Sequence, residues 1–329
     1  MPQNEDKTLT KAEKERIARF KKINDNRRNR KNPSSVPAKL TRTSAFTPRR
    51  RGLNTDSRFS HLYIVPKHSV IRVSGRELGS HHRDALYVVF RLKRKPVVFE
   101  DASSPIGRTR LFQTETSWRE LLIKAEKTQH TNNIMILMRT FEEIKQVVMT
   151  VYDGNPEFLM KEFKNGTLPD AKGRMGNIIH DISWDGLSLD SKVIIQYGSW
   201  TADMITRGNL VSMNTEVQMK LKSDHAKSFW PYIDSQNEHS YIDENMLGFL
   251  TGRDLWSDTE TSATRSQFRK DCKKAFDDMV AGGGLAKWHA EIMGSGRSKT
   301  RRYHYIHALP RQIELNFDDP NQDVAQGEE

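Results

Sequence analysis

Apolar side chains recur along most of this sequence at the spacings of helices and strands, but not at its start. From about residue 59 onward, runs of apolar residues alternate with turns rich in Gly, Pro and polar side chains. Before that point Pro, Ser and Arg dominate and no apolar period persists, which is typical of disordered chain. The pattern therefore predicts a disordered tail over residues 1–58. Folded chain is expected from the strand-like run HLYIV at residues 61–65.

A first folded unit over residues 59–205 reads as a mixture of helices and strands. Apolar residues at three- and four-residue spacing predict a helix over residues 83–94, followed by the short strand RLFQ. Thr116 or Ser117 can cap a second helix. A third helix is expected to start near Asn132, after the polar turn KTQHTNN. The strand-like runs QVVMTVY, NIIHDISW and KVIIQYG follow.

A second unit over residues 206–311 repeats this order. A helix over about 223–235 is followed by the very short strand SYI and a helix capped by Asp243. A long helix over residues 262–281 carries an apolar stripe of period 3.6. Two strands, LAKWHAEIM and RRYHYIHAL, are joined by GSGRSKT. Both units thus have the order helix, short strand, helix, turn, helix, hairpin.

This order is that of a winged helix-turn-helix, and it occurs twice, about 140 residues apart. The predicted fold class is α+β, with two tandem winged helix-turn-helix domains behind the disordered basic N-terminal tail. Residues 312–329 are predicted to form an acidic C-terminal tail.

The position of the charged residues along the chain is more informative than the net charge. The net charge is +11, and residues 1–58, with 17 basic and 6 acidic groups, account for all of it. Residues 81–140 carry 11 basic and 6 acidic groups, residues 141–260 carry 11 and 19, and residues 261–311 carry 11 and 4. Two basic blocks separated by an acidic one suggest two phosphate-facing surfaces.

The cysteine count and the hydropathy exclude several classes of protein. Cys272 is the single cysteine, so an internal disulfide and a cysteine-based zinc site are excluded, and a reducing cytoplasm is expected. The apolar runs fall short of the roughly 18–20 residues that cross a bilayer, so no membrane partner is expected. The charged N-terminus is unlike a secretory signal.

The strongest candidate for a binding surface is the long helix of the second unit with the hairpin that follows it. The helix can bury its apolar stripe and lay its opposite face in the major groove of DNA. A basic hairpin tip can then contact the backbone or the minor groove. An ordinary solvated basic face is the alternative. The predicted DNA-contacting residues of this unit are Thr264, Arg265, Ser266, Arg269, Lys270, Lys273, Lys274, Arg297, Lys299, Arg301 and Arg302.

The first unit offers a weaker candidate on its third helix. Asn132, Asn133 and Arg139 are of types that contact bases or phosphates. Both asparagines are also good helix caps, which is the alternative role. The neighbouring Met135 and Ile136 could instead pack against a partner.

Catalytic chemistry is not indicated, and we expect neither an enzyme nor a cofactor. GSGRSKT resembles a broken phosphate loop, but Ser298 replaces its second glycine and a strand follows it. His304 and His307 lie three residues apart in a strand, which points them to opposite faces. Asp277 and Asp278 lack a third carboxylate at the spacing of a metal site. No metal site is therefore predicted.

A short motif follows the last strand. Gln312, Leu315 and Phe317 form the pattern Gln-x-x-Leu-x-Phe, which resembles the hexapeptide that docks bacterial replication proteins onto the sliding clamp. The two apolar side chains would fill a pocket and the glutamine would hydrogen-bond at its rim. A strand end packed on the core is the alternative.

Together these segments resemble the iteron-binding plasmid replication initiators, nearest the TrfA type. The matching stretches are VSGRELGSHHRDALYVVFRL, LFQTETSWRELLIKAE, KSDHAKSFWPYID and the helix and hairpin of residues 261–309. The resemblance implies two tandem winged helices that bind repeated double-stranded origin DNA. It also implies recruitment of host helicase and polymerase machinery, no ATP hydrolysis, and a dimer–monomer equilibrium as a common property.

The sequence therefore predicts an initiator of plasmid DNA replication. Two alternatives remain open at this point: a transcriptional repressor built on the same winged helices, and a replication enzyme that nicks the origin.

Overall fold

The structure, a computed structural model, describes residues 34–100, 108–207, 210–236, 241–253, 261–294 and 300–308. Mixed helices and sheets make up this part of the chain. The strands are β1 (Ser34–Pro37), β2 (Phe46–Thr47), β3 (Ser60–Val65), β4 (Ser69–Ser74), β5 (Leu78–Gly79), β6 (Lys95–Glu100), β7 (Arg108–Ser117), β8 (Val148–Asp153), β9 (Gly173–Asn177), β10 (Ile179–Trp184), β11 (Lys192–Tyr197), β12 (Leu210–Met213), β13 (Tyr241–Asp243), β14 (Leu285–Met293) and β15 (Thr300–His307). The helices are α1 (Ala38–Thr41), α2 (Ser80–Phe90), α3 (Trp118–Lys124), α4 (Thr131–Lys145), α5 (Pro156–Lys164), α6 (Ser199–Thr206), α7 (Thr215–Lys220), α8 (Asp224–Ser235), α9 (Glu244–Leu250) and α10 (Ser262–Ala281).

The segment 34–58 corrects the prediction of a disordered tail. Its strand β1 pairs antiparallel with β12, and Val36, Leu40 and Phe46 are buried in the first core. These apolar residues are too widely spaced to give a periodic signal, but each removes apolar surface from water. Residues 1–33 lie outside the described part of the chain.

The first unit contains two four-stranded sheets. One has the order β3-β4-β8-β9 and the other β10-β11-β7-β6, with all of these pairs antiparallel. Helices α2 and α4 pack on each other and share a core with Trp118, Trp200 and Phe141. The predicted helix over 83–94 is observed about one turn earlier, because Gly79 is its N-cap and Arg91 its C-cap.

The second unit has a three-stranded sheet with the order β13-β15-β14. Helix α10 occupies the predicted range, and its stripe of Phe268, Cys272 and Phe276 is buried. The helix ends at Gly282, and Gly283 follows with a φ of +76°, a conformation that favours glycine. The prediction of the long helix and the hairpin is confirmed.

The two units repeat one sheet topology. In each, a strand leads directly into a helix, a second helix follows, and the last strand lies between the first strand and the middle one: β7-β11-β10 and β13-β15-β14. The first unit inserts β8, α5 and β9 between its second helix and its hairpin. The predicted repeat of element order is therefore present in the sheets as well.

The buried apolar residues divide into two clusters between Met213 and Val217. Strand β12, which the sequence assigned to the second unit, packs its Met213 in the first core. In the described residues, no helix is both long and apolar enough to cross a membrane.

Helix α2 joins the two units. The fully buried Arg83 donates hydrogen bonds to the backbone oxygens of Phe46 (2.9 Å) and Lys227 (2.8 Å). Its neighbour Asp84 binds the ammonium of Lys227 and accepts a hydrogen bond from Gln218 at 3.0 Å. Because Lys227 and Gln218 are themselves buried, these contacts fix the second unit against the first.

Candidate nucleic-acid interface

Helix α10 is held firmly on its inner side. Phe276 stacks on Tyr303 of the hairpin, with ring centroids 5.1 Å apart and planes 7° from parallel. The hydroxyl of Thr261 caps the helix by accepting the N–H of Thr264 at 3.2 Å. Burial raises the pKa of the Cys272 thiol well above its usual range, so Cys272 is a packing residue and not a nucleophile. The solvent face of α10 therefore has a defined orientation.

Arg269 makes a structural contact in this protein. Its guanidinium donates from Nε to Glu244 Oε1 at 2.6 Å and from Nη2 to Oε2 at 3.1 Å. Glu244 is the first residue of α9, and only 9% of its side chain is exposed. These hydrogen bonds raise the pKa of Arg269 and hold α10 to α9. Arg269 is thus committed to positioning the helix.

Three lysines form the cationic part of the outer face, which we call the lysine row: Lys270, Lys273 and Lys274. All three are exposed. In the described residues they make no ion pair or hydrogen bond, so their ammonium groups are available to phosphates. Ser266 is exposed on the first turns of the helix and Arg265 is half-buried.

The hairpin contributes fewer free cations than the sequence predicted. Arg302 donates from Nε to Asp243 Oδ1 at 2.8 Å, and its guanidinium lies 4.4 Å from the ring centroid of Tyr241. Arg301 is half-buried on β15. Arg297 and Lys299 lie outside the described residues, as do the hexapeptide residues Gln312, Leu315 and Phe317. Those assignments stay predictions.

The candidate helix of the first unit, α4, presents a mixed surface. The imidazole of His130, not an asparagine side chain, caps the helix by accepting the N–H of Asn132 at 3.1 Å. Asn133 donates to the backbone oxygen and hydroxyl of Thr128 at 2.9 and 2.8 Å, so its side chain holds the turn. Asn132 and Arg139 are exposed and remain available to DNA.

The same helix exposes two large apolar residues, Met135 at 45% and Ile136 at 64%. Ile136 borders a cavity of about 490 Å³ that also contacts Lys227 and Met219 of the second unit. Base edges offer little to such side chains apart from the thymine methyl group. The end of α4 near Asn132 therefore suits DNA better than its middle.

The carboxylates of α10 have structural partners. Asp277 accepts a hydrogen bond from the Trp288 indole at 2.9 Å. Asp278 accepts the backbone N–H groups of Lys222 and Ser223, both at 2.8 Å, and so anchors the start of α8.

Sequence reasoning missed one cluster in the second unit. The strand register sets His289 directly opposite His304, and their rings are stacked with centroids 4.9 Å apart. Glu291 lies two residues along β14 from His289, on the same face. The sequence suggested only the pair His304 and His307. Pairing the two strands about their Gly-rich turn would have placed His289 opposite His304.

Comparison with known proteins gives the fold. No protein-family model matches the sequence, and no curated protein does. The selenomethionine derivative of domains 2 and 3 of RctB is similar with a TM-score of 0.53 at 10% identity, over 82% of this chain and 98% of that one. Another crystal structure of RctB domains 2–3 has a TM-score of 0.46 at 10% identity, over 80% and 96% of the two chains. Pi initiator protein in complex with iteron DNA has a TM-score of 0.46 at 11% identity, over 69% and 90%.

These similarities agree with the resemblance stated from the sequence. The similarity to domains 2 and 3 of RctB shows that the chain has their fold.

Proposed function

We propose that this protein binds double-stranded DNA through two tandem winged helices, with α10 as the recognition helix of the second. The observation that carries the proposal is the lysine row on the outer face of a helix whose inner face is fixed by Phe276 and Arg269. A helix held in this way can enter a major groove without reorganising. The repeated sheet order, with the last strand between the other two, supports the assignment of a winged helix to each unit.

We further propose that the DNA is a replication origin with repeated sites and that the protein initiates replication of a plasmid. The resemblance of several segments of the sequence to iteron-binding plasmid replication initiators supports this role. Two similar units in one chain suit a target with regularly arranged half-sites. Sliding clamp, replicative helicase and a second copy of the chain are the partners expected from the sequence, and they remain proposals.

The DNA-binding proposal is tested by measuring affinity for the preferred sequence, selected from random DNA, over a range of salt concentrations. The triple variant of the lysine row, K270A/K273A/K274A, is expected to bind more weakly. Each lost phosphate contact should make the negative slope of log K against log salt shallower by about 0.9. The matched control is K161A/K164A, which removes two exposed lysines from α5 of the first unit. Equal salt slopes for the triple variant and the wild type would refute the assignment of α10.

The initiator role is distinguished from that of a repressor by where the protein binds. We expect a nuclease footprint over direct repeats next to the gene, and replication of a plasmid carrying those repeats only when the protein is supplied. Protection confined to a promoter operator, with no replication, would favour the repressor.

Origin nicking is the second candidate function, and one observation justifies testing it. The ring of Tyr241 lies 5.7 Å from that of His304, beside the His289 and Glu291 side chains. A tyrosine next to groups of types that can bind a metal ion is a composition that can cleave phosphodiesters. Incubating supercoiled origin DNA with the protein and Mg²⁺ or Mn²⁺ distinguishes a nicking enzyme from an initiator that does not nick, because nicking would give relaxed circles. The initiator proposal expects the DNA to stay supercoiled.

A further inference from the structure

The outer face of the β14–β15 hairpin brings together two imidazoles and one carboxylate from adjacent strands. His289 faces His304 across the hairpin, and Glu291 follows on the same side. One ligand atom from each of the three lies within 4.8 Å of the others. Because hydrogen bonds between the strands fix this register, the three groups need no rearrangement of the backbone to act together.

The contact between His304 and Glu291 is unusual for a simple ion pair. The Nε2 atom of His304 lies 3.3 Å from Glu291 Oε2, yet it is shielded from solvent and makes no hydrogen bond of acceptable geometry in the described residues. A buried polar atom without a hydrogen bond requires a physical explanation. A cation between the two atoms would supply one.

The distance itself fits a bound metal ion. Zinc binds imidazole nitrogen at about 2.0–2.1 Å and carboxylate oxygen at about 2.0–2.2 Å, usually in a tetrahedron. Two ligand atoms of such a tetrahedron lie roughly 3.3–3.4 Å apart, which is the separation found between Nε2 and Oε2. The stacked ring of His289 is close enough to supply the third ligand after a side-chain rotation.

We propose that His289, Glu291 and His304 bind a divalent transition-metal ion, Zn²⁺ in the first place, with water as the fourth ligand. Two neutral imidazoles and a carboxylate are a ligand set that suits zinc. Arg302 lies opposite Glu291 in the strand register, but its guanidinium is bound to Asp243. The metal would join the two strands of the hairpin and stiffen it.

The other histidine cluster of the described residues offers a contrast. His82 accepts the N–H of Gly79 on Nδ1 at 2.9 Å, and its Nε2 is 2.8 Å from Glu143 Oε2. Arg76 binds the same carboxylate at 3.1 Å. Every ligand position of His82 is therefore taken and a guanidinium already neutralises Glu143, so we assign no metal there.

The test is a calorimetric titration of the full-length, chelator-treated protein with ZnCl₂, repeated with CoCl₂ while recording the visible spectrum. The wild type is expected to bind one Zn²⁺ tightly and to give the absorption bands of tetrahedral Co²⁺. H289A and H304A should each weaken binding by at least about tenfold, since losing even an outer-shell partner costs that much. H180A, which removes an exposed histidine from β10, is the matched control and should bind like the wild type.

A second readout separates a built site from adventitious binding. Saturating Zn²⁺ should slow hydrogen exchange of the β14 and β15 amides in the wild type and in H180A, but not in H289A or H304A. Circular dichroism checks that the variants are folded. Equal zinc affinity in H289A, H304A and the wild type, or several weak sites with no protection of the hairpin, would overturn the proposal. DNA binding is measured separately, so a failure of the zinc site leaves the proposed function untouched.

Discussion

Arg269 and Glu244 form a pair in which the carboxylate is nearly buried and the guanidinium is partly exposed. Removing the arginine leaves a carboxylate in a poorly solvated place, which is costly even when water reaches one side. We expect Arg269→Ala to lower the free energy of unfolding by about 1–2 kcal/mol, less than for a fully buried pair because of that exposure. Urea unfolding measures the change.

The double variant Glu244→Gln with Arg269→Ala provides the control. If the pair acts as a unit, the second substitution should cost little once the first is made. Additive losses would mean that the two side chains contribute to the stability independently and would contradict the pairing.

His82 makes the stability of the first unit depend on pH. Because the Gly79 N–H points at Nδ1, the ring is neutral and donates from Nε2 to Glu143. Burial, with the adjoining His81, lowers the pKa of His82 to about 4, below its ordinary value of 6.5. The unfolded chain therefore takes up a proton below about pH 6.5 that the folded chain does not take up until about pH 4.

We expect the free energy of unfolding to fall by about 3 kcal/mol as the pH drops from 6.5 to 4, and this contribution to be fully present above pH 6.5. In His82→Gln the titrating group is gone, so the decline over that interval should be shallower, although the starting stability is lower. Denaturant unfolding at several pH values measures both slopes, with exposed His180→Gln as control. Parallel declines would contradict the assignment.

At the scale of elements, the strand β1 and helix α1 are the part of the fold whose role is least visible in the sequence. Besides the buried Val36, Leu40 and Phe46, this segment is fixed by Arg49, which donates to both oxygens of Glu77 at 2.8 and 2.7 Å. Fully burying one such apolar side chain contributes about 1.5–3 kcal/mol. Their sum is comparable with the whole stability of a domain.

We therefore expect a variant that starts at residue 59 to unfold at much lower temperature than the full chain, or not to fold at all. A variant that starts at residue 34 keeps β1 and its partner β12 and should retain the melting temperature of the full chain to within a few degrees. Thermal unfolding followed by circular dichroism distinguishes them. Equal melting temperatures for the two variants would show that β1 is dispensable.

Elements with strong local signals were predictable, and those that depend on distant partners were not. The long helix α10 carries a continuous apolar stripe and ends at glycines, so its bounds follow from the sequence. Strand β1 is four residues long and pairs with a strand about 175 positions later, and no local pattern reveals such a partner.

The same limit applies to the site. Residue type and spacing placed Lys270, Lys273 and Arg269 on one face, but only the fold shows that Arg269 meets Glu244. Asn133 is a comparable case, since its side chain serves the turn before α4. A charged or amide group on a helix face is a candidate for DNA contact until its neighbours from other elements are known.

At the scale of the molecule, the two units are held together by buried contacts and not by a flexible linker. Arg83, Asp84 and Lys227 form a hydrogen-bonded group across the boundary. Asp224 at the start of α8 also accepts hydrogen bonds from Ser80 (2.7 Å) and Arg50 (3.1 Å) of the first unit. Such contacts leave little freedom for one unit to turn against the other.

If both units read DNA, this rigidity predicts a strict spacing of their half-sites. Inserting about five base pairs between the half-sites turns one of them to the opposite side of the duplex and should reduce binding to that of a single unit. Inserting about ten base pairs should restore part of the lost affinity, because the two half-sites then face the same side of the duplex again. Gel-shift titrations with the three DNAs measure this. Equal affinity for all of them would mean that one unit alone binds DNA.

The pairing of β1 with β12 also bears on the rigid arrangement of the two units. Strand β12 lies on the stretch of chain that leads from one unit to the other, and β1 covers it along its whole length. The β1–β12 pair thus adds to the contacts that hold the two units in one arrangement. A partner that displaced β1 would remove one of these restraints, while the contacts of Arg83 and Asp224 would still hold the two units together.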